Sequence, residues 1–86
     1  MTDNDLFADM YRRINSYVGI RGGKIADYIQ IPYQRLMNIV THKTKPTMEE
    51  KKSLLNFYNR LAMADLVDPF DARDMKQVKR IFFSDN

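Results

Sequence analysis

Pro32 stands between two short stretches of helical apolar periodicity, and that break constrains the chain more than any other feature. Residues 22–47 read GGKIADYIQIPYQRLMNIVTHKTKPT. A proline disfavours helical geometry in the residue before it, so Ile31 leaves the helical region. Pro32 itself is tolerated in the first turn of a following helix, where its missing N–H does no harm. The segment therefore predicts two short helices, about 23–29 and 32–41, joined by only a few residues. Ile25, Ala26 and Ile29 form the inward stripe of the first; Leu36, Ile39 and Val40 form that of the second. The second leaves Tyr33, Gln34, Met37, Asn38 and Thr41 on its opposite face.

The rest of the chain supplies helices of the same kind. Leu6, Phe7, Met10, Tyr11, Ile14, Tyr17 and Val18 recur at intervals of three and four, which predicts a leading helix. Asp3 or Asn4 can cap its start, and Gly19 is placed to end it. Thr47-Met48-Glu49-Glu50 has the capping-box pattern, and Leu54, Leu55, Tyr58, Leu61 and Ala62 continue it as a buried stripe. Asp68-Pro69-Phe70-Asp71 is expected to open a fifth helix, with Met75, Val78, Ile81 and Phe82 inward. The final IFF could also form a short strand. The expectation is a single all-α domain over residues 1–86: a compact five-helix fold with a helix-turn-helix, its motif at about 22–41.

Charge is unevenly placed. The net charge is +3. Residues 1–20 carry −1, residues 46–86 carry 0, and residues 21–45 carry +4, from Arg21, Lys24, Arg35, Lys43 and Lys45 against Asp27. The surplus thus lies in the two-helix segment, which points to an anionic partner on that face.

Composition narrows the alternatives. The chain has no cysteine and one histidine, His42, so neither a disulfide framework nor a Cys- or His-rich metal site is expected. No cofactor is expected. The acidic, polar N-terminus does not have the pattern of a signal peptide, and no apolar run approaches the ~20 residues of a membrane span. A cytoplasmic, nucleoid-associated protein without a membrane partner is the expectation. No nucleophile–base spacing or glycine-rich phosphate loop occurs, so an enzyme is not expected. Glu49 and Glu50 serve a helix start. His42 reads as a loop residue, and Phe7, Tyr11 and Tyr58 as core.

The spacing within the segment carries a resemblance. Ala26 is small where a second helix would cross. Ile31 follows at five residues, Leu36 at ten and Ile39 at thirteen. IADYIQIPYQRLMNIVTHKTKPT resembles the helix-turn-helix of the Cro and lambda-repressor-like regulators of bacteria and phages. Lys45-Pro46-Thr47 and the helix after it also match, so the likeness covers roughly residues 4–63. Gln30 stands where the family usually has a turn glycine, Pro32 where it often has a Ser or Thr cap, and Gly22 where it often has a phosphate-binding Gln.

The resemblance implies a sequence-specific, double-stranded-DNA-binding transcription regulator that reads the major groove with helix 32–41. By position, Tyr33, Gln34 and Asn38 would read bases, with Arg35 and Met37 at the edge. Arg21, Lys24, Thr41, Lys43 and Lys45 would hold phosphates. Related regulators bind as dimers, and a helix can bury only one stripe. Ile81, Phe82 and Phe83, in the C-terminal helix and tail at 68–86, are the expected homodimer contact, the alternative being that this segment caps the domain's own core. A different reading fits the same fold: a protein-interaction module such as an antirepressor, antitoxin or polymerase inhibitor, which binds another regulatory protein through the outward Tyr33 and Met37.

Overall fold

A computed structural model of the protein describes residues 1–83. The last three residues of the expected C-terminal segment lie outside the described residues. Five α-helices are present: α1 (Asp3–Arg13), α2 (Gly22–Ile29), α3 (Tyr33–Val40), α4 (Met48–Met63) and α5 (Ala72–Phe83). No strand occurs among the described residues, and Ile81-Phe82-Phe83 forms the last turn of α5. No described helix is long and apolar enough to cross a membrane.

α1 is capped one residue earlier than expected. The Thr2 hydroxyl accepts from the Asp5 N–H at 3.2 Å, and the Asp5 carboxylate accepts from the Thr2 N–H at 2.9 Å. This reciprocal pair satisfies two N–H groups that have no partner inside the helix. Asn4, a candidate for that role, turns inward instead. It is buried, and its amide donates to the carbonyls of Ile39 at 2.9 Å and Thr44 at 2.8 Å.

After Arg13 the chain widens into a π-helical segment, Ile14–Val18, which Gly19 ends in the left-handed conformation at φ 74°. A wider turn changes the register of the buried stripe. Ile14 stays in the core, but Tyr17, expected there, is 73% exposed.

α2 ends on Gln30 at φ 61°, ψ 45°. The Ile31 N–H bonds the Ala26 carbonyl at 3.0 Å and the Gln30 N–H bonds that of Asp27 at 3.2 Å. These two bonds form a Schellman closure, which satisfies orphan carbonyls and offsets the ~1 kcal/mol that a left-handed non-glycine residue costs. Pro32 is extended, at φ −61° and ψ 145°, and stands just before α3 rather than in its first turn.

α4 starts on the expected capping box, with Thr47 and Glu50 exchanging bonds of 3.1 and 2.7 Å. α5 starts later than expected, because Asp68–Phe70 is held on α4. The Tyr58 hydroxyl donates to the Asp68 carbonyl at 2.8 Å, and the Phe70 ring stacks on Tyr58 with centroids 4.9 Å apart. Asp71 then caps α5 by accepting from the Asp74 N–H at 2.7 Å.

One core joins all five helices. Phe7, Met10, Ile14, Ile25, Leu36, Ile39, Leu54, Tyr58 and Phe82 are fully buried in it. α1 packs against α3, α4 and α5, and α4 also packs against α2 and α5. Phe82 therefore belongs to the protein's own core, and the expected place for it in a homodimer contact is corrected. Lys51, itself buried, fixes the end of α5 by donating to the Phe82 carbonyl at 2.9 Å while it pairs with Asp3 at 3.3 Å. Ile81 and Phe83 are half-buried.

Candidate nucleic-acid interface

Three side chains on α3 face away from the core. Tyr33 is 51% exposed, Gln34 is exposed and Asn38 is half-buried. The Gln34 side-chain amide donates to the Asn38 side-chain oxygen Oδ1 at 3.1 Å, a bond between residues one helical turn apart. The α3 N-terminus has no side-chain cap, because proline precedes it.

The other two expected base readers sit differently. Arg35 is drawn sideways onto α4: its Nε donates to Glu50 Oε2 at 2.9 Å and its Nη2 to Glu50 Oε1 at 2.8 Å. The same guanidinium donates to the Lys45 carbonyl at 3.1 Å and the Thr44 hydroxyl at 3.3 Å. All three of its nitrogens are engaged, so its free capacity for a guanine edge is small. The bond from Arg35 holds the Glu50 carboxyl below its ordinary value against the opposing effect of burial, and the Thr47 N–H adds to the lowering. Met37, expected outward, is half-buried and packs against the core.

The expected phosphate contacts form two flanks. Arg21 and Lys24 are exposed at the start of α2, and with Gly23, Ile31, Pro32 and Tyr33 they border a shallow depression of about 450 Å³. Lys43 and Lys45 are exposed in the loop after α3. The ion pairs found among the described residues involve Arg13, Arg35, His42 and Lys51 and leave these four cations solvated. Thr41 is exposed, but its hydroxyl already donates to the Met37 carbonyl at 2.7 Å, so holding a phosphate oxygen requires breaking that bond.

The loop is built from both sides. The Lys43 N–H bonds the Asn38 carbonyl at 2.8 Å, which ties the loop to α3. Asn4 holds the Thr44 carbonyl from α1. His42, at φ 65°, places its Nε2 2.8 Å from Asp5 Oδ1. The Asp5 carboxyl is lowered to about 2, first by the Thr2 N–H and then by His42. Sequence reasoning missed the parts of Asn4, Asp5 and His42 in this loop. Their partners lie 35 to 40 residues away, beyond any local periodicity.

Gly22 has a packing reason. A Cβ there would stand 2.7 Å from the Tyr11 hydroxyl and 2.8 Å from the Tyr33 ring. Tyr11 is half-buried, and that burial, with a smaller effect from Tyr33, raises its phenol above the ordinary value. No family model, curated protein or solved structure matches this chain.

Proposed function

We propose that the protein is a sequence-specific DNA-binding regulator whose α2 and α3 act as a helix-turn-helix of the Cro and lambda-repressor-like kind. α3 enters the major groove and reads bases with Tyr33, Gln34 and Asn38. Arg21 and Lys24 on one flank, and Lys43 and Lys45 on the other, hold the phosphates. Arg35 orients α3 against α4 and the lysine loop.

One observation carries this reading. The outward face of α3 bears hydrogen-bonding amides and an exposed tyrosine, with two pairs of exposed cations that form no ion pair among the described residues. Amides can satisfy base edges in the groove, and solvated cations release counterions on meeting phosphates. The Schellman turn at Gln30 supports it further, since it supplies a sharp turn between α2 and α3 although Gln30 stands where the family usually has glycine. A titration against random duplex DNA at low and moderate salt tests the reading. Weak binding that falls steeply with salt is expected. No binding at low salt would remove it.

A homodimer remains part of the proposal, because two half-sites give a small module its selectivity. With Phe82 in the core, the part of α5 left for such a contact is Ile81 and Phe83.

The second reading, a protein-interaction module, has its own observation. Tyr28 is 64% exposed and stacks on Phe57 with ring centroids 4.5 Å apart. An exposed tyrosine stacked on a half-buried ring suits a protein partner. Absence of DNA binding in the titration above would favour it.

A further inference from the structure

The loop after α3 alternates between solvent and core: Lys43 and Lys45 are exposed, while Thr44 is half-buried and Pro46 is buried. Thr44, between the two lysines, is held by a side chain from the far end of the chain. Asn4, in the first turn of α1, is buried, and its Nδ2 donates to the Thr44 carbonyl at 2.8 Å and to the Ile39 carbonyl at 2.9 Å. Both hydrogens of its amide are thereby used. The Ile39 carbonyl also accepts from the His42 N–H at 3.1 Å, but among the described residues the Thr44 carbonyl is bonded by Asn4 alone. Asn4 has no part in starting α1, because Thr2 and Asp5 form the cap. Its position faces inward, one turn before the buried Phe7 and Ala8. A leucine of similar shape would fill that place without burying a polar group. The loop, rather than the core, explains the asparagine.

We infer that Asn4 is a positioning residue for phosphate contact: its amide fixes the backbone between Lys43 and Lys45, so that both ammonium groups leave an ordered loop toward the DNA backbone. This rests on the DNA-binding reading above and adds α1 to the elements that build its interface. Every residue from 42 to 45 carries a bond of this kind. His42 Nε2 lies 2.8 Å from Asp5 Oδ1, and the Lys43 N–H bonds the Asn38 carbonyl at 2.8 Å. Arg35 donates to the Thr44 hydroxyl at 3.3 Å and to the Lys45 carbonyl at 3.1 Å. The loop is thus gripped from α3 by Arg35 and Asn38 and from α1 by Asn4 and Asp5. Lysines that serve only solubility need exposure and no fixed backbone. Lysines that meet phosphates gain from one, because a backbone already ordered in the free protein loses less entropy on binding. Phosphate contacts carry no base information, so freeing the loop should weaken binding to all duplexes alike.

The experiment uses the full chain with Asn4→Leu, which keeps an inward side chain and removes both donors, and with Asn4→Ala as a second variant, each checked for native helicity. Amide hydrogen exchange without DNA comes first. The Lys43 and Thr44 N–H groups should exchange roughly 10-fold faster, while amides in the middle of α4 keep their rates. A random duplex and one selected from a randomised pool are then titrated over a salt series. In Asn4→Leu the slope of log K against log salt should flatten by more than one unit, toward the about two units that two phosphate contacts supply. The ratio of selected to random affinity should stay within about 2-fold. A smaller folded fraction would lower K equally at every salt concentration, so the slope separates positioning from stability. Lys43→Ala and Lys45→Ala should each change log K less than half as much in the Asn4→Leu background as in the wild type. Loop amides that exchange at wild-type rates in both variants, or lysine substitutions that keep their full cost in that background, would overturn the inference and leave the DNA reading intact. No binding of the wild-type chain to any duplex at low salt would overturn both.

Discussion

The Tyr33 ring rests over Gly22, with its Cε1 2.8 Å from the point a Cβ on that residue would occupy. The first residue of α2 thus makes room for a side chain on the outward face of α3. Gly22→Ala is expected to push the Tyr33 ring and the Tyr11 hydroxyl aside. Both are ends of side chains that can swing, and alanine gains roughly 0.5–1 kcal/mol over glycine in a helix, so stability should change by less than about 1 kcal/mol. The ring resonances of Tyr33 should shift, and affinity for a selected duplex should fall. A variant with unmoved tyrosine resonances would contradict the packing.

Arg35→Ala should destabilise the fold by about 1–2 kcal/mol, read as the urea midpoint, because it strips a bidentate partner from a mostly buried carboxylate. Glu50 also sets a pH dependence. Its folded-state carboxyl titrates below the ordinary 4.5, so its contribution is fully present above that value and is lost as pH falls through the lowered folded-state value. Glu50→Gln should flatten this part of the acid limb of stability against pH. An unchanged acid limb would show that the pair contributes nothing there.

Phe82→Ala and Phe83→Ala should separate core from surface. Phe82 is fully buried, so its truncation should cost about 3–5 kcal/mol in chemical denaturation. Phe83 meets it edge-on at 5.9 Å and is only half-buried, so its loss should cost less than half as much. If a homodimer uses α5, Phe83→Ala should lower the mass observed in a concentration series without unfolding the chain.

Lys43→Ala and Lys45→Ala should each weaken binding to specific and random duplexes alike. Each should flatten the slope of log K against log salt by about one unit. Exposed Lys76 on α5 is the control and should leave the slope unchanged.

The Asp5 carboxyl should titrate at about 2 by carbon-detected NMR. His42→Ala should move that midpoint only part of the way back toward 3.8, because the Thr2 N–H is the larger cause and stays in place. A complete return would reverse that order of causes.

Local rules located most of the helices. Apolar spacing marked α2, α3 and α4, the Thr47–Glu50 box marked the start of α4, and Gly19 marked the end of the first helical stretch. Each depends on neighbours within about five residues, and a linear pattern records such relations directly. Gln30 could be placed in its turn for the same reason, as the residue between a closing helix and Pro32.

What side chains do once helices meet was decided by tertiary structure. Arg35 had the same pattern of spacing as Gln34, yet Glu50 came within reach and took its guanidinium. Asn4 stood in a capping position, yet carbonyls from α3 and the following loop drew it inside. Met37 was expected on the outward face of α3, and contact with other helices turned it toward the core; Phe82, placed in the inward stripe of α5 and also in a homodimer contact, is buried in the protein's own core. A π-helical segment turned Tyr17 out. Helical periodicity assigns a side chain to a face. Which faces meet, and which charged or polar groups then fall within about 3 Å of each other, depends on helices brought together from distant parts of the chain.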